Sequence, residues 1–241
     1  MATSACCAAD RAKAEAALAR GQVLRDKHLA HEALGYFQLA NRLDPTWWDP
    51  YYRAASVLIT LDDAAGAVKQ IDRGVLVDAN HAELYYCRGR AYFDLGRMAN
   101  ADVDFDHAIR LSPNEPNMLI RYGDFEYAQS NWNKALKLFN RTIACSTPAK
   151  NASESTKQAF EPIEALALKD RGNVYMQLGK YSEAVADYTA ALENKYLNVQ
   201  REPILSDRAK CYDKLGEHQL AEADRKKAST KSGDMFNDLM K

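Results

Sequence analysis

Small residues, rather than large apolar ones, carry the strongest period in this chain. Ala33, Ala67, Ala101 and Ala135 are spaced by 34 residues, and Ala184 and Ala221 hold the same place in two later copies. Alignment on these alanines reveals further columns. Twelve residues earlier stand Gly21, Ala55, Gly89, Gly123, Gly172 and Ala209, and nine earlier stand Leu24, Leu58, Tyr92, Glu126, Tyr175 and Tyr212. Four residues later come Phe37, Ile71, Phe105, Phe139, Tyr188 and Arg225, and seven later Ala40, Gly74, Ala108, Thr142, Ala191 and Ala228. Residues three, four and seven apart share one helix face. Each copy therefore predicts two helices whose small residues let the backbones approach, with the large column filling the space beside that contact. A fixed period of this length marks a stack of repeats.

The turns fall between the predicted helices. Gly96 and Gly179 stand where a helix C-cap is needed. Pro45 and Pro113 end the second helices, because proline disfavours helix at the residue before it. The expected repeats are 14–47, 48–81, 82–115, 116–149, 165–198 and 202–235, after a tail or short helix over 1–13 and before a tail over 236–241. An insert, 150–164, separates the fourth from the fifth. Its polar stretch Lys150–Lys157 reads as a loop, and Gln158–Ala165 as a lengthening of the next helix, with Pro162 placed only near its start. The sixth copy departs most from the pattern. Its charged second helix, Glu217–Lys231, suits a terminal cap, and a short separate helix is expected after Gly233.

These columns resemble the tetratricopeptide repeat (TPR) family, whose signature has a small residue, an aromatic, Ala, an aromatic, Ala and Pro at matching offsets. The best copy is Ala82–Glu115, with Tyr85, Gly89, Tyr92, Leu95, Gly96, Ala101, Phe105, Ala108 and Pro113. The resemblance covers about residues 14–230. It implies an all-α, right-handed superhelical solenoid of six helix-turn-helix repeats. It also implies a non-catalytic scaffold or adaptor that holds a partner peptide or helix in a concave groove lined by the first helices. The inward positions are then Tyr52, Arg53, Ser56 and Ile59 in repeat two, Tyr86, Cys87, Arg90 and Phe93 in repeat three, and Ile120, Arg121, Asp124 and Tyr127 in repeat four. Tyr52, Tyr86, Phe93 and Tyr127 are large and lie outside the packing columns, with Arg53, Arg90 and Arg121 interleaved. Tyr and Arg are enriched at binding hot spots, and Arg grips carboxylates through paired hydrogen bonds. The expected partner is a protein segment with apolar anchors and acidic groups.

In repeat five, Lys169-Asp170-Arg171-Gly172-Asn173 is similar to the start of the carboxylate clamp by which some family members bind acidic C-terminal tails of cytosolic heat-shock chaperones. That resemblance implies Lys169 and Asn173 as ligand contacts and a co-chaperone as the alternative function. The clamp's next asparagine is Asp207 here, an acid that repels a carboxylate.

Composition narrows the remaining classes. A net charge of −1 argues against a dedicated nucleic-acid binder, and hence against a helical RNA-binding repeat protein. No apolar run is long enough for a membrane span, and the N-terminus lacks the plan of a secretory signal. The five cysteines are odd in number and lack metal-ligand spacing, which suits a reducing, cytoplasmic setting. Asp102, Asp104 and Asp106 alternate as at the start of a calcium loop, but His107 replaces the needed glycine, so a solvated helix face is expected. No metal site, cofactor or catalytic constellation is expected. The chain also suits a subunit of a larger complex.

Overall fold

A computed structural model describes the backbone of residues 2–147, 153–194 and 201–239, and the side chains of 10–147, 153–194 and 201–229. Among these residues the regular elements are all helices: α1 (Ala2–Asp26), α2 (Ala30–Leu43), α3 (Trp48–Thr60), α4 (Ala64–Val77), α5 (Ala82–Asp94), α6 (Met98–Leu111), α7 (Pro116–Ala128), α8 (Trp132–Ser146), α9 (Glu154–Gln177), α10 (Tyr181–Glu193), α11 (Arg201–Lys214) and α12 (His218–Leu239). Odd-numbered helices pack against the even-numbered helix that follows, so the protein is an all-α array of hairpins. It divides into two compact units, Met1–Pro113 with α1–α6 and Asn114–Lys241 with α7–α12.

The small column fixes how closely each hairpin closes. A Cβ added to Gly21, Gly89, Gly123 or Gly172 would stand 2.6, 2.9, 2.5 or 2.8 Å from a ring carbon of Phe37, Phe105, Phe139 or Tyr188 respectively. Such contacts are shorter than any side chain tolerates, so a ring in the later column requires glycine in the earlier one. Where the ring is missing, alanine returns: Ala55 accompanies Ile71, and Ala209 accompanies Arg225. Phe37, Phe139 and Tyr188 are fully buried. Burial of each such ring stabilises the fold by roughly 1.5–3 kcal/mol.

Every hairpin turns the same way. The residue five before each reference alanine is left-handed: His28 (φ 61°), Asp62 (60°), Gly96 (70°), Ser130 (61°), Gly179 (71°) and Gly216 (78°). The next residue's N–H then closes the first helix. Leu29 donates to the Leu24 carbonyl, Asp63 to Leu58, Arg97 to Tyr92, Asn131 to Glu126, Lys180 to Tyr175 and Glu217 to Tyr212, all at 2.8–3.0 Å. This is the long hydrogen bond of a Schellman cap. Glycine marks three of the six turns, while His28, Asp62 and Ser130 adopt the same conformation at a steric cost.

A second set of contacts joins successive hairpins within each unit. Arg88 is forked onto Asp104 (Nε–Oδ2 2.7 Å, Nη2–Oδ1 2.9 Å) and reaches Asp72 of the preceding hairpin at 2.8 Å. Arg171 does the same with Asp187 (2.7 Å, twice) and Asn140 (2.6 Å). Arg208 repeats it with Asp224 (2.7 and 2.8 Å) and Thr189 (2.9 Å). Each guanidinium also lies 5.5–5.9 Å from a tyrosine ring: Tyr85, Tyr175 or Tyr212. Asp104 is thus buried and paired, not on the solvated face that the Asp102–Asp106 alternation suggested.

Several expected boundaries move. Residues 2–13 belong to the continuous helix α1 rather than to a separate tail or short helix. The polar insert becomes helical at Glu154, because the Ser153 side chain accepts from the Thr156 N–H and caps the helix. Pro162 therefore sits inside α9, not near its start, and leaves the Gln158 carbonyl without an intrahelical donor. Residues 150–152 of the expected loop, and 148–149 at the end of the expected fourth repeat, lie outside the described residues. At the other end α12 runs through Gly233 to Leu239. An interior glycine costs a helix only about 1 kcal/mol, so no separate short helix follows it.

Gly123→Ala drives a methyl into the Phe139 ring, and it is expected to lower unfolding free energy by about 1–3 kcal/mol. Ser130→Gly relieves a left-handed side chain and is expected to raise it by about 1 kcal/mol. Urea unfolding followed by circular dichroism measures both.

Candidate functional site

The ring-and-glycine seam and the arginine contacts use one side of each first helix. In the first unit, the residues expected to face a partner lie on α3 and α5. They divide by how much packing claims them. Tyr52 is half-buried beside Trp48 (ring centroids 6.3 Å), and burial pushes its hydroxyl above the usual range. Tyr86 is half-buried, with its ring 5.9 Å from that of Phe105. Arg53 is spoken for: it donates to Asp49 at 2.9 Å, and to Gln22 at 3.2 Å in the amide orientation that satisfies both groups. Arg90 is exposed, with no acidic partner among the described residues, and Phe93 is 39% exposed. Tyr86, Arg90 and Phe93 are spaced by four and three, so they form one stripe along α5.

Cys87 lies beneath that stripe rather than on it. It is buried, and burial pushes its thiol up to about 12, so it is neither thiolate nor nucleophile at neutral pH.

The second unit presents a different surface. Arg121 of α7 pairs with Asp124 at 3.3 Å, and Lys169 of α9 pairs with Asp170 at 3.0 Å. Asn173 is held as well. Its side-chain oxygen accepts from the Tyr188 hydroxyl at 2.7 Å, and its amide nitrogen faces Asp170 at 3.5 Å. Tyr127 packs edge-on to Trp132 with centroids 5.2 Å apart. The two residues expected to begin a carboxylate clamp thus already serve an internal carboxylate. Each cation here has an acid beside it, so this face offers an incoming carboxylate no excess positive charge.

Spacing alone could have exposed two of these pairs. Asp49–Arg53 and Arg121–Asp124 are ordinary i,i+4 and i,i+3 helix neighbours. Asp170 was harder to see, because adjacent residues on a helix rarely meet.

Asp170 is the most perturbed acid of this group. Burial pushes its carboxyl up to about 6, Lys169 opposes that rise, and Asp124 adds to it. A carboxyl raised above its unfolded value binds more protons when folded. The native state therefore gains stability from this group as pH falls through 6 toward 4, and loses it as pH rises. The Asp170 carboxyl carbon is expected to titrate by NMR with a midpoint near 6, and Lys169→Ala is expected to move that midpoint upward.

Comparison with known proteins places these hairpins. Family models for the tetratricopeptide repeat match residues 82–115 and 165–195. The fission yeast (Schizosaccharomyces pombe) anaphase-promoting complex subunit 3 is 24% identical over 178 residues, covering 68% of this chain and 26% of that protein. A TPR repeat-containing protein of Methanocaldococcus jannaschii is 28% identical over 83 residues, covering 34% of this chain and 25% of that protein. The chain thus spans about a quarter of the length of these relatives. The solved structure of Pseudomonas aeruginosa PilF superposes with a TM-score of 0.71 at 13% identity, covering 90% of each chain. No helix among the described residues is long and apolar enough to cross a membrane. The repeated glycine-and-ring seam, the shared turn and the two matched segments show that this chain carries tetratricopeptide repeats, at residues 82–115 and 165–195.

Proposed function

We propose that the protein is a non-catalytic interaction scaffold that docks a partner segment along the α3–α5 face of its first unit. One observation carries the reading: Arg90 and Phe93 stand exposed on α5 in line with Tyr86, outside the seam that packs the hairpins. A hot spot needs an aromatic surface beside a charged group that pairs on binding. Phe93 and Tyr86 offer the first and Arg90 the second. The fitting partner is a short helix or extended peptide with an apolar side chain next to an Asp or Glu. Arg53 contributes less to binding than its position suggests, since Asp49 already neutralises it.

On this reading the Lys169–Asn173 region is not a chaperone-tail clamp, because a ligand carboxylate would have to displace Asp170. The second unit's mixed charges suit a partner that bears both signs. Membership of a larger assembly is supported by the relative named as a subunit of the anaphase-promoting complex. A cytoplasmic setting fits the unpaired, buried Cys87 and Cys211.

Arg90→Glu with Phe93→Ser changes exposed positions and is expected to leave helicity and unfolding midpoint intact. In affinity capture followed by mass spectrometry, the double variant is expected to lose the main partners of the wild type. An unchanged partner set from a folded double variant rejects this face.

A further inference from the structure

The arginine contact that joins hairpins three, five and six has an empty counterpart in hairpin two. At the position of Arg88 stands Ala54, and at the position of Asp104 stands Gln70. The preceding hairpin offers Gln38 where Asp72 would be. Tyr85, which flanks the Arg88 guanidinium, is kept as Tyr51, whereas the place of Tyr175 and Tyr212 in hairpins five and six is taken by Leu58. Hairpin four fills the same register with apolar bulk, the buried pair Tyr122 and Leu138. Hairpin two fills it with nothing from the chain. What remains is a pocket of about 320 Å³ lined by Gln38, Asn41, Arg42, Tyr51, Gln70 and Arg73.

The lining is unsatisfied. Asn41 is 9% exposed, and its side-chain oxygen is buried with no hydrogen-bond partner, as is that of Gln70. In this orientation both free atoms are acceptor oxygens, which an anion does not satisfy; turning each amide end for end puts its NH2 there instead. An unpaired buried amide group costs about 1–3 kcal/mol, so the turned amides suit a ligand that supplies acceptors. Charge decides which ligand. Arg42 and Arg73 are exposed at the pocket, have no acidic partner among the described residues, and no carboxylate lines it. A cation, including a guanidinium that would mimic Arg88, meets two like charges. An anion meets two guanidinium forks. The carboxamides of Gln38, Asn41 and Gln70 each carry two N–H donors and turn to present them.

We propose that this pocket binds a phosphomonoester group between Arg42 and Arg73. Such a group carries a charge of about −1.5 to −2 and three acceptor oxygens. It therefore balances both arginines and leaves an oxygen for the carboxamides, which a carboxylate with its single charge and two oxygens does not. Arginine grips phosphate bidentately, which adds geometric selectivity. The pocket lies among α2, α4 and Tyr51, and the inference is independent of the α3–α5 docking face.

The test is a titration of the ¹⁵N-labelled full chain with sodium phosphate and, separately, with N-acetyl-O-phosphoserine amide. Sodium chloride at matched ionic strength is the control. Saturable shifts are expected in the side-chain amides of Gln38, Asn41 and Gln70 and in the Nε–H signals of Arg42 and Arg73, with a Kd of about 1 mM or tighter. The exposed substitutions Arg42→Ala and Arg73→Ala are each expected to weaken binding about tenfold, the scale of one hydrogen bond to a charged group. Ala54→Arg with Gln70→Asp rebuilds the internal pair and is expected to abolish binding. Tighter binding of the phosphoserine amide identifies a phosphorylated protein side chain as the source. Tighter binding of phosphate identifies a free phosphate compound. Shifts matched by sodium chloride, or unaffected by Arg42→Ala and Arg73→Ala, overturn the proposal. If the rebuilt pair fails to fold, the two arginine variants decide alone.

Discussion

A ring lying on a bare backbone sets the architecture. Wherever the second helix of a hairpin carries Phe or Tyr four residues after its reference alanine, the first helix has glycine opposite. The contact is directional in a way that general hydrophobic burial is not. It fixes the rotation of both helices about their axes, because only one side of the first helix lacks a Cβ. Once rotation is fixed, every other side chain in the hairpin has an assigned direction. The ring column turns inward, the arginine one residue before the small column turns to the neighbouring hairpin, and Arg90 and Phe93 are left exposed beside the half-buried Tyr86. The site therefore follows from the seam by exclusion.

The arginine contacts extend this order from within hairpins to between them. Removing one member of a buried ion pair costs more than the pair contributes, about 3–5 kcal/mol, since the other charge stays behind. A repeat cannot lose Arg88 or Asp104 alone without that penalty. It has to lose both, and replace them. Hairpin four does so with Tyr122 and Leu138, and hairpin two with Ala54 and Gln70. The first replacement is complementary in volume. The second is not, and it gathers polar groups that no other part of the chain satisfies. A vacancy in an otherwise filled periodic position differs from a gap in an irregular core, because its neighbours show what the space can hold.

Much of this was readable from the sequence, for a physical reason. Periodic packing repeats each constraint, so weak local signals add. The paired columns, Gly with ring and Ala without, are visible once the copies are aligned. So are Arg, Asp and, four residues after the Arg, Tyr92, Tyr175 and Tyr212 in copies three, five and six. What resisted was conformation that side-chain identity does not dictate. His28, Asp62 and Ser130 occupy left-handed turns because tertiary closure outweighs their local preference. Ser153 starts a helix inside a polar stretch because one hydroxyl can cap it. Site residues resisted more strongly, since their state depends on pairing. Arg53, Lys169 and Asn173 look available in sequence, yet each has a partner inside the fold.

That contrast bears on where recognition resides in a scaffold of this kind. A cation contributes to binding through the difference between its free and bound surroundings. Lys169 moves from one carboxylate to another and gains little. Arg90 moves from water to a carboxylate in a partly apolar setting, where a Coulomb interaction is stronger than in bulk solvent. The exposed Phe93 beside it enlarges that difference, because covering the ring removes water from around the new ion pair. Two residues of ordinary type thus outweigh a larger set of better-looking ones, and the deciding property is the pairing left open by the fold.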